Sequence, residues 1–417
     1  MATLSEILRE RGYVYQFSSE NIEDITDGSK RTFYFGVDPT ADSMHVGQLM
    51  GMLVLRRFVE DGHRLIVLVG GGTGMIGDPG GKSAERNLLD DATVRANTEA
   101  LRTQFSQLFG GVPFEMVNNA DWLHKLNLLE FLRDVGKHFT VNEMVKRDTV
   151  RPRLETPDQS ISYTEFSYML LQAYDYFHLH QETGCDLQVG GSDQWGNIIS
   201  GVELIRRRTT HAAHAFSWPL LVDKKTGKKF GKSEQGPVWL DPKKTPPFHF
   251  YQFWIGIDDD SVQEMLLKMT LLHPMEVSAA VELHKRDKKE RRAQRLLAHE
   301  VTALVHGEDM AERVERISEI LFSGAGLESL DARGFELLRS SAPTHNTEEH
   351  VALLDVLVAA KLAESKREAR QFITSKAVTL NDKLVDDVDM TLTRHDFYRG
   401  YALLKRGKRN VCVLILS

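Results

Sequence analysis

The chain has 417 residues, 41% of them hydrophobic and 27% charged, with a formal net charge of -7 at pH 7. That length is too great for one ordinary core and predicts two or three domains, while no apolar run approaches the ~18 residues of a membrane helix. Cys185 and Cys412 are the only cysteines; without a spacing pattern they exclude a disulfide framework or a structural zinc site and fit a reducing cytoplasm.

The N-terminal stretch MATLSEILRERGYVYQ is amphipathic and charged, and it lacks the apolar centre and cleavage site of a secretory signal. Residues 1–222 read as an α/β domain. RTFYFGV predicts a strand, HVGQLMGMLVLRRFVEDG a helix and RLIVLVGG a second strand. This βαβ rhythm implies a Rossmann-like parallel sheet with helices on both faces. Such sheets bind ligands at the carboxyl ends of their strands, where the glycine clusters at 70–81 and 190–197 fall. Residues 223–247, with DKKTGKKFGKSEQG followed by DPKKTPP, predict an exposed mobile loop and connector. Residues 248–322 read as an α-helical domain and 323–349 as a linker with little regular structure. From residue 350 to 417 a small α+β unit is expected, with two amphipathic helices before strand-like runs. Residues 351–417 hold 12 Lys+Arg against 8 Asp+Glu, leaving 40 against 51 elsewhere. A basic tail on an acidic body points to phosphate contact or to an ordinary basic surface.

Several segments carry candidate chemistry. In YFGVDPTADSMHVGQ, Asp42 and Ser43 are N-cap types just before a helix. Thr40 and His45 would then stand near its N-terminus, where free N–H groups favour an anion. Taken alone, the segment is also compatible with a capped helix and an incidental surface histidine. KKFGKS at 228–233 offers two lysines as point charges for phosphate, or simply a solvated basic loop. Gly72-Thr-Gly74-Met-Ile-Gly77 matches the dinucleotide fingerprint after a strand. The acidic partner that pattern requires would be Asp90 or Asp91, but LLDDATVRANTEAL reads as a helix start. In TEFSYMLLQAYDYF, Tyr168, Gln172 and Asp175 share one helix face, as a pocket lining or as a solvated stripe. The basic run KRDKKERRAQR at 285–295 reads as a solvated helix face that could also meet RNA.

Together, His45-Val46-Gly47-Gln48 and Lys229-Phe230-Gly231-Lys232-Ser233 resemble the paired HIGH and KMSKS signatures of class I aminoacyl-tRNA synthetases. GGTGMIGDPGGKSAER, NNADW, YTEFSYMLLQAYD and VGGSDQWGN occur in the order seen in the tyrosyl-tRNA synthetases of bacterial type. The resemblance covers nearly the whole chain, and VGGSDQWGN is its most specific part. LAESKREARQFITSKAVTLNDKLV is similar to an RNA-binding module shared with a ribosomal small-subunit protein.

The resemblance implies tyrosine activation by ATP with Mg2+, then transfer to the 3′ end of a tRNA, without a tightly held protein metal. It assigns Tyr34 and Asp175 to the phenolic hydroxyl. Tyr168, Gln172, Asp78 and Asn119 would hold the ammonium, with Gln194 near the tyrosine side. Gly36, Asp38, Gly47, Gln48, Gly191, Asp193 and Lys232 would bind ATP. Thr40 and His45 would hydrogen-bond the phosphates as charge builds, and Lys229, Lys232 and Ser233 would act on the leaving pyrophosphate from the loop. Ser365, Lys366, Arg367 and Arg370 would contact tRNA phosphates. The family is usually homodimeric, which points to residues 124–145 and the helix around 165–180.

Two positions depart from the pattern. Gln48 stands where HIGH has its second histidine, which puts any role needing imidazole in doubt. Phe35 stands where a small residue is common. The rivals are a tryptophanyl-tRNA synthetase, which shares fold and signatures, a catalytically dead RNA-binding relative, and a dehydrogenase. Tyr34 with Asp175 argues against the first, and intact His45, Lys229, Lys232 and Asp193 against the second.

Overall fold

Strands β1 (Gln16–Phe17), β2 (Thr32–Val37), β3 (Arg64–Val69), β4 (Glu115–Asn118), β5 (Leu187–Gly191) and β6 (His214–Trp218) form a sheet in the order β1-β6-β5-β2-β3-β4. The computed structural model describes all residues except 1, 80–89, 148–149, 158, 225–226, 228, 234–235 and 408, and only the backbone of Asp91, Lys232 and Ser233. All neighbours in the sheet are parallel except β1 on β6. Parallel pairing needs covered faces, and β3 is accordingly buried from Leu65 to Val69. The crossover from β2 to β3 is the helix Val46–Glu60. Its Gly51 lets it lie close to β6, because a Cβ there would meet the Trp218 ring at 2.7 Å.

The chain departs from β2 in two directions. It runs β2, β3, β4 to one side and returns through β5 and β6 on the other. The switch between β2 and β5 opens a crevice at the carboxyl ends of these strands, the place where such sheets bind ligands. The long helix Tyr163–Thr183 leads into β5, closed by Gly184 at φ 69°.

By its own contacts the chain forms two units, residues 1–244 with 258–293, and residues 245–257 with 294–417. The stretch 248–322, read as one helical domain, is therefore divided between them. In the second unit the helices Pro247–Ile255 and Glu308–Phe322 pack together. A second sheet has the order β11-β10-β12-β13-β9, from β9 (Thr344–Thr347), β10 (Val378–Leu380), β11 (Lys383–Leu384), β12 (Tyr401–Arg406) and β13 (Asn410–Leu416). Residues between Leu353 and Leu414 share a hydrophobic core. Buried Lys405 donates to the Ile320 carbonyl at 3.1 Å and pairs with Asp382 at 2.6 Å, which fastens the sheet to the helix Glu308–Phe322.

Three local expectations are corrected. Residues 323–349 are not devoid of structure: Asp331 caps a helix Ala332–Ser341 that buries Phe335 and Leu338, and β9 pairs in parallel with β13. The polar composition masked an amphipathic helix with a one-sided apolar face. The run 285–295 is not a helix face. One helix ends at Arg286, a short turn follows, and Arg291 takes a left-handed conformation before the next helix. Finally, the helix Val46–Glu60 is capped by His45 itself rather than by Asp42 or Ser43.

Candidate functional site

The site residues converge where β2, β3, β4 and β5 end. Asp38 follows β2, Gly70–Thr73 follow β3, Asn119 follows β4, and Asp193–Gln194 follow β5. The helix Tyr163–Thr183 adds Tyr168, Gln172 and Asp175, three positions that its 3.6-residue period puts on one face. Tyr168 and Asp175 are buried, so the stripe lines the interior and is not a solvated face.

Asp175 is held by two donors. Trp122 Nε1 donates to Oδ1 at 2.8 Å and Asn119 Nδ2 donates to Oδ2 at 2.9 Å. Burial pushes this carboxyl up to about 7, against the pull of the Asn119 and Trp122 bonds. Tyr34 is 1% exposed and its ring packs on Tyr176 at 5.2 Å. Its Oη is buried without a hydrogen-bond partner among the described residues. Burial, then the nearby Asp175 charge, raises the Tyr34 phenol well above its ordinary range. A buried hydroxyl and a buried carboxylate are an arrangement that a ligand hydroxyl can satisfy by accepting from one and donating to the other.

A second polar group lies further along. Tyr168 Oη donates to Asp38 Oδ2 at 3.2 Å, and Thr73 Oγ1 donates to Asp38 Oδ1 at 3.2 Å. Gln194 Nε2 donates to buried Asp78 at 2.6 Å and Gln194 Oε1 accepts from Asn197 at 3.2 Å. Gln172 Oε1 is buried and without a partner among the described residues. With two carboxylates and an amide oxygen, this end suits a cation. Asp38, expected at ATP, therefore stands against Tyr168 and Thr73, two residues of this end. Asn119, expected at the ammonium, is hydrogen-bonded within the protein. It donates to Asp175 and Thr73, and its Oδ1 accepts from the Gly72 N–H at 2.8 Å.

The glycines after β3 make room for these side chains. A Cβ on Gly70 would collide with Asp38 Oδ1, and one on Gly71 would collide with Asn118 Oδ1. The Gly72–Gly77 pattern leads into a 3-10 turn, Thr73–Met75, rather than a long helix, and Asp90 is the N-cap of the helix Asp91–Leu108. Neither belongs to a dinucleotide site.

The two signature segments touch. His45 Nδ1 accepts from the Gly47 N–H at 3.1 Å, and Gln48 Oε1 accepts from the His45 N–H at 3.1 Å, forming a capping box. The Gln48 departure thus has a structural role that an amide oxygen fills. With Nδ1 an acceptor, the neutral imidazole carries its proton on Nε2. A Cβ on Gly47 would stand 2.8 Å from the Phe230 carbonyl, and one on Gly231 would stand 2.7 Å from the Gly47 nitrogen. Lys229 Nζ pairs with Asp193 at 3.1 Å across the crevice mouth. Gly191 leaves space for the Asp193 carboxylate, which a Cβ would meet at 2.8 Å. Gly36 and Thr40 are exposed, and the Thr40 N–H donates to the Asp38 carbonyl at 2.8 Å. Lys232 and Ser233 form β7, opposite β8 (Gly236–Pro237); their side chains lie outside the described residues. Phe35 points away from Tyr34 and packs on Phe105 and Trp218.

In the second unit, Ser365 caps the helix Lys366–Thr374 by accepting from the Glu368 N–H at 3.2 Å. Lys366 pairs with Asp355, and Arg367 and Arg370 are exposed. The motifs did not single out Trp122 or Thr73. The NNADW segment contains Trp122, but only the fold shows its indole N–H aimed at Asp175.

Residues 26–323 match the family described as tRNA synthetases class I (W and Y), and residues 335–414 match the tyrosine–tRNA ligase SYY-like C-terminal domain. A tyrosine–tRNA ligase from Roseiflexus castenholzii is 45% identical over 98% of both chains, and one from Bacillus velezensis is 44% identical over 98% of both. A truncated mitochondrial tyrosyl-tRNA synthetase from Aspergillus nidulans superposes with a TM-score of 0.67 at 32% identity, over 76% of this chain and 93% of that one. A tryptophanyl-tRNA synthetase from Encephalitozoon cuniculi shares the fold, with a TM-score of 0.54 at 15% identity over 75% and 89%.

Proposed function

We propose, from the premise that this chain belongs to the class I tRNA synthetases of the W and Y family, that it works as a tyrosine–tRNA ligase. It activates tyrosine with ATP to tyrosyl-adenylate and pyrophosphate, then passes tyrosine to the 3′ end of a tRNA. The observation that carries the choice of tyrosine is the buried Tyr34 hydroxyl, without a hydrogen-bond partner among the described residues, beside the buried Asp175 carboxylate. An apolar slot for tyrosine also admits phenylalanine; it rejects the latter when buried polar groups would go unpaired. Discrimination between these two amino acids by tyrosyl-tRNA synthetases is itself the standard example of that principle.

In this reading the phenol of tyrosine meets Tyr34 and Asp175, and its ammonium meets Tyr168, Gln172 and Asp78. The tyrosine carboxylate attacks the α-phosphorus, and the bond to the bridging oxygen of pyrophosphate breaks. The nucleophile is already ionised, so positioning and charge stabilisation do the work, without a general base. His45 donates through Nε2 to the phosphates as charge builds, with Thr40 beside it. Gly36, Gly47, Gln48, Gly191 and Asp193 border the nucleotide. Lys229, Lys232 and Ser233 serve the pyrophosphate, Lys229 exchanging its Asp193 pairing for phosphate. Mg2+ would accompany ATP as part of the substrate and would offset phosphate charge there. Lys366, Arg367 and Arg370 contact the tRNA backbone, and Ser365 holds their helix.

A homodimer is supported by Leu128, Leu129, Leu132, Val141, Leu154 and Tyr163, large apolar residues exposed along 128–163. In the helix around 165–180, Phe166, Leu171 and Tyr174 are half-buried and the other large apolar residues are buried. Buried free thiols at Cys185 and Cys412 suit the cytoplasm. Charging of tRNA with labelled tyrosine tests the function. Transfer to a tyrosine-accepting tRNA supports it, and a protein that makes adenylate but charges no tRNA overturns the second step.

A further inference from the structure

Trp239 lies outside every role assigned above, yet it touches the one side chain whose aim matters most. Its ring meets the His45 imidazole nearly perpendicularly, at 74° and 6.1 Å between centroids. Its backbone forms an antiparallel bridge with His45. The flanking bonds run from the Val46 N–H to the Val238 carbonyl and from the Leu240 N–H to the Met44 carbonyl, both at 2.9 Å. The indole also carries the Lys244 ammonium, 4.9 Å from the ring centre, and Lys244 pairs with Asp42. The Asp241 N–H adds a bond to Ser43 Oγ at 3.2 Å. Residues 42–46 and 238–244 are thus clasped together around His45.

We propose that Trp239 is a positioning residue for His45, holding the imidazole so that Nε2 faces the reacting phosphates. This rests on the reading of the site as a tyrosine-activating centre. The capping bond from the Gly47 N–H engages Nδ1. The Trp239 ring packs against the imidazole as well and limits its tilt. The same strand continues into the loop, where the Val238 N–H donates to the Gly231 carbonyl at 3.0 Å and Gly231 sits on Gly47. Trp239 and Gly231 are thereby joined to the His45 helix through one set of backbone contacts. A hydrogen bond that strengthens as charge develops is worth most when its donor is already aimed.

The test is a double-mutant cycle on the rate of tyrosine-dependent pyrophosphate exchange, with W239L, W239F, H45A and W239L/H45A, each checked by thermal melting. W239L lowers kcat about tenfold, one decade being ~1.4 kcal/mol in the barrier, and leaves the KM for tyrosine unchanged. W239F recovers most of the loss. In the H45A background W239L has no further effect, since it acts through the ring already removed. K244M, which keeps the indole, gives the same pattern at smaller size and serves if W239L does not fold. A full tenfold loss in the H45A background, or a rise in tyrosine KM matching the fall in kcat, overturns the positioning role alone. Absence of exchange in the wild type overturns the reading of the site together with this inference.

Discussion

Gly47 and Gly231 are pressed so closely that a Cβ on Gly231 would stand 2.7 Å from the Gly47 nitrogen. These glycines belong to segments more than 180 positions apart in the chain, and their contact seats the lysine loop on the His45 helix. Gly231 also has φ 98°, where an L side chain is strained. Gly231→Ala therefore unseats the loop. The strain alone is of order 1–3 kcal/mol, which predicts a fall of about 10–100-fold in the rate of tyrosyl-adenylate formation, with tyrosine affinity little changed. Rapid-quench measurement of pyrophosphate release checks this, and a variant with the parental rate contradicts the seating.

Asp175 gives a pH signature. Its carboxyl is pushed up to about 7 by burial. Ionised, it accepts the substrate phenol, so tyrosine affinity is full above pH 7 and weakens as pH falls through that value. The effect on stability has the opposite sign. The folded pKa lies above the ordinary 3.8, so between about pH 4 and 7 the folded state holds a proton that the unfolded chain releases. This group's contribution to stability therefore falls as pH rises across that window. Asp175→Asn removes both dependences. It also turns an amide donor towards Trp122 or Asn119, at a cost of roughly 1–3 kcal/mol for an orphaned buried donor. Tyrosine KM against pH for both proteins is the measurement, and a surviving inflection near 7 in the variant would assign it to another group.

Tyr34→Phe removes a buried hydroxyl that has no partner among the described residues. Stability without tyrosine should be unchanged or higher, by up to about 1 kcal/mol, because an unsatisfied polar atom is gone. Tyrosine KM should rise several-fold while the phenylalanine reaction is unaffected. Melting curves and parallel kinetics read both, and a large loss of stability would give the hydroxyl a structural partner instead.

In the tail, exposed Arg367 and Arg370 should each carry one phosphate contact. Replacing both with alanine should weaken tRNA binding and make log K against log salt shallower by about two, near one per contact. Ser365→Ala removes a helix cap and should cost ~1 kcal/mol of stability in this unit. Unchanged salt dependence in the double variant would move the tRNA contact elsewhere.

How much was legible in advance differed with the kind of signal. Strands β2 and β3 and the helix between them followed from short apolar runs around an amphipathic one, because burial against a parallel sheet demands that pattern. That Tyr168, Gln172 and Asp175 share one face followed from helical spacing, while the burial of Tyr168 and Asp175 did not. The capping of His45 did not, because histidine is not among the preferred caps, and Asp42 and Ser43 stood nearer the usual choice. The helix Ala332–Ser341 hid in a polar, glycine-containing stretch, since only Phe335, Leu338 and their neighbours face the core. Trp122 and Trp239 were invisible for a different reason. Their partners, Asp175 and His45, are brought to them by the fold across intervals that no local pattern encodes.

The central claim is that Tyr34 and Asp175 select the amino acid that attacks ATP. The measurement that tests it most directly is amino-acid-dependent exchange of labelled pyrophosphate into ATP, run with tyrosine, phenylalanine and tryptophan side by side. Exchange supported by tyrosine and not by the other two is the predicted result. Exchange driven by tryptophan, or equally well by phenylalanine, would contradict the assignment of the pocket.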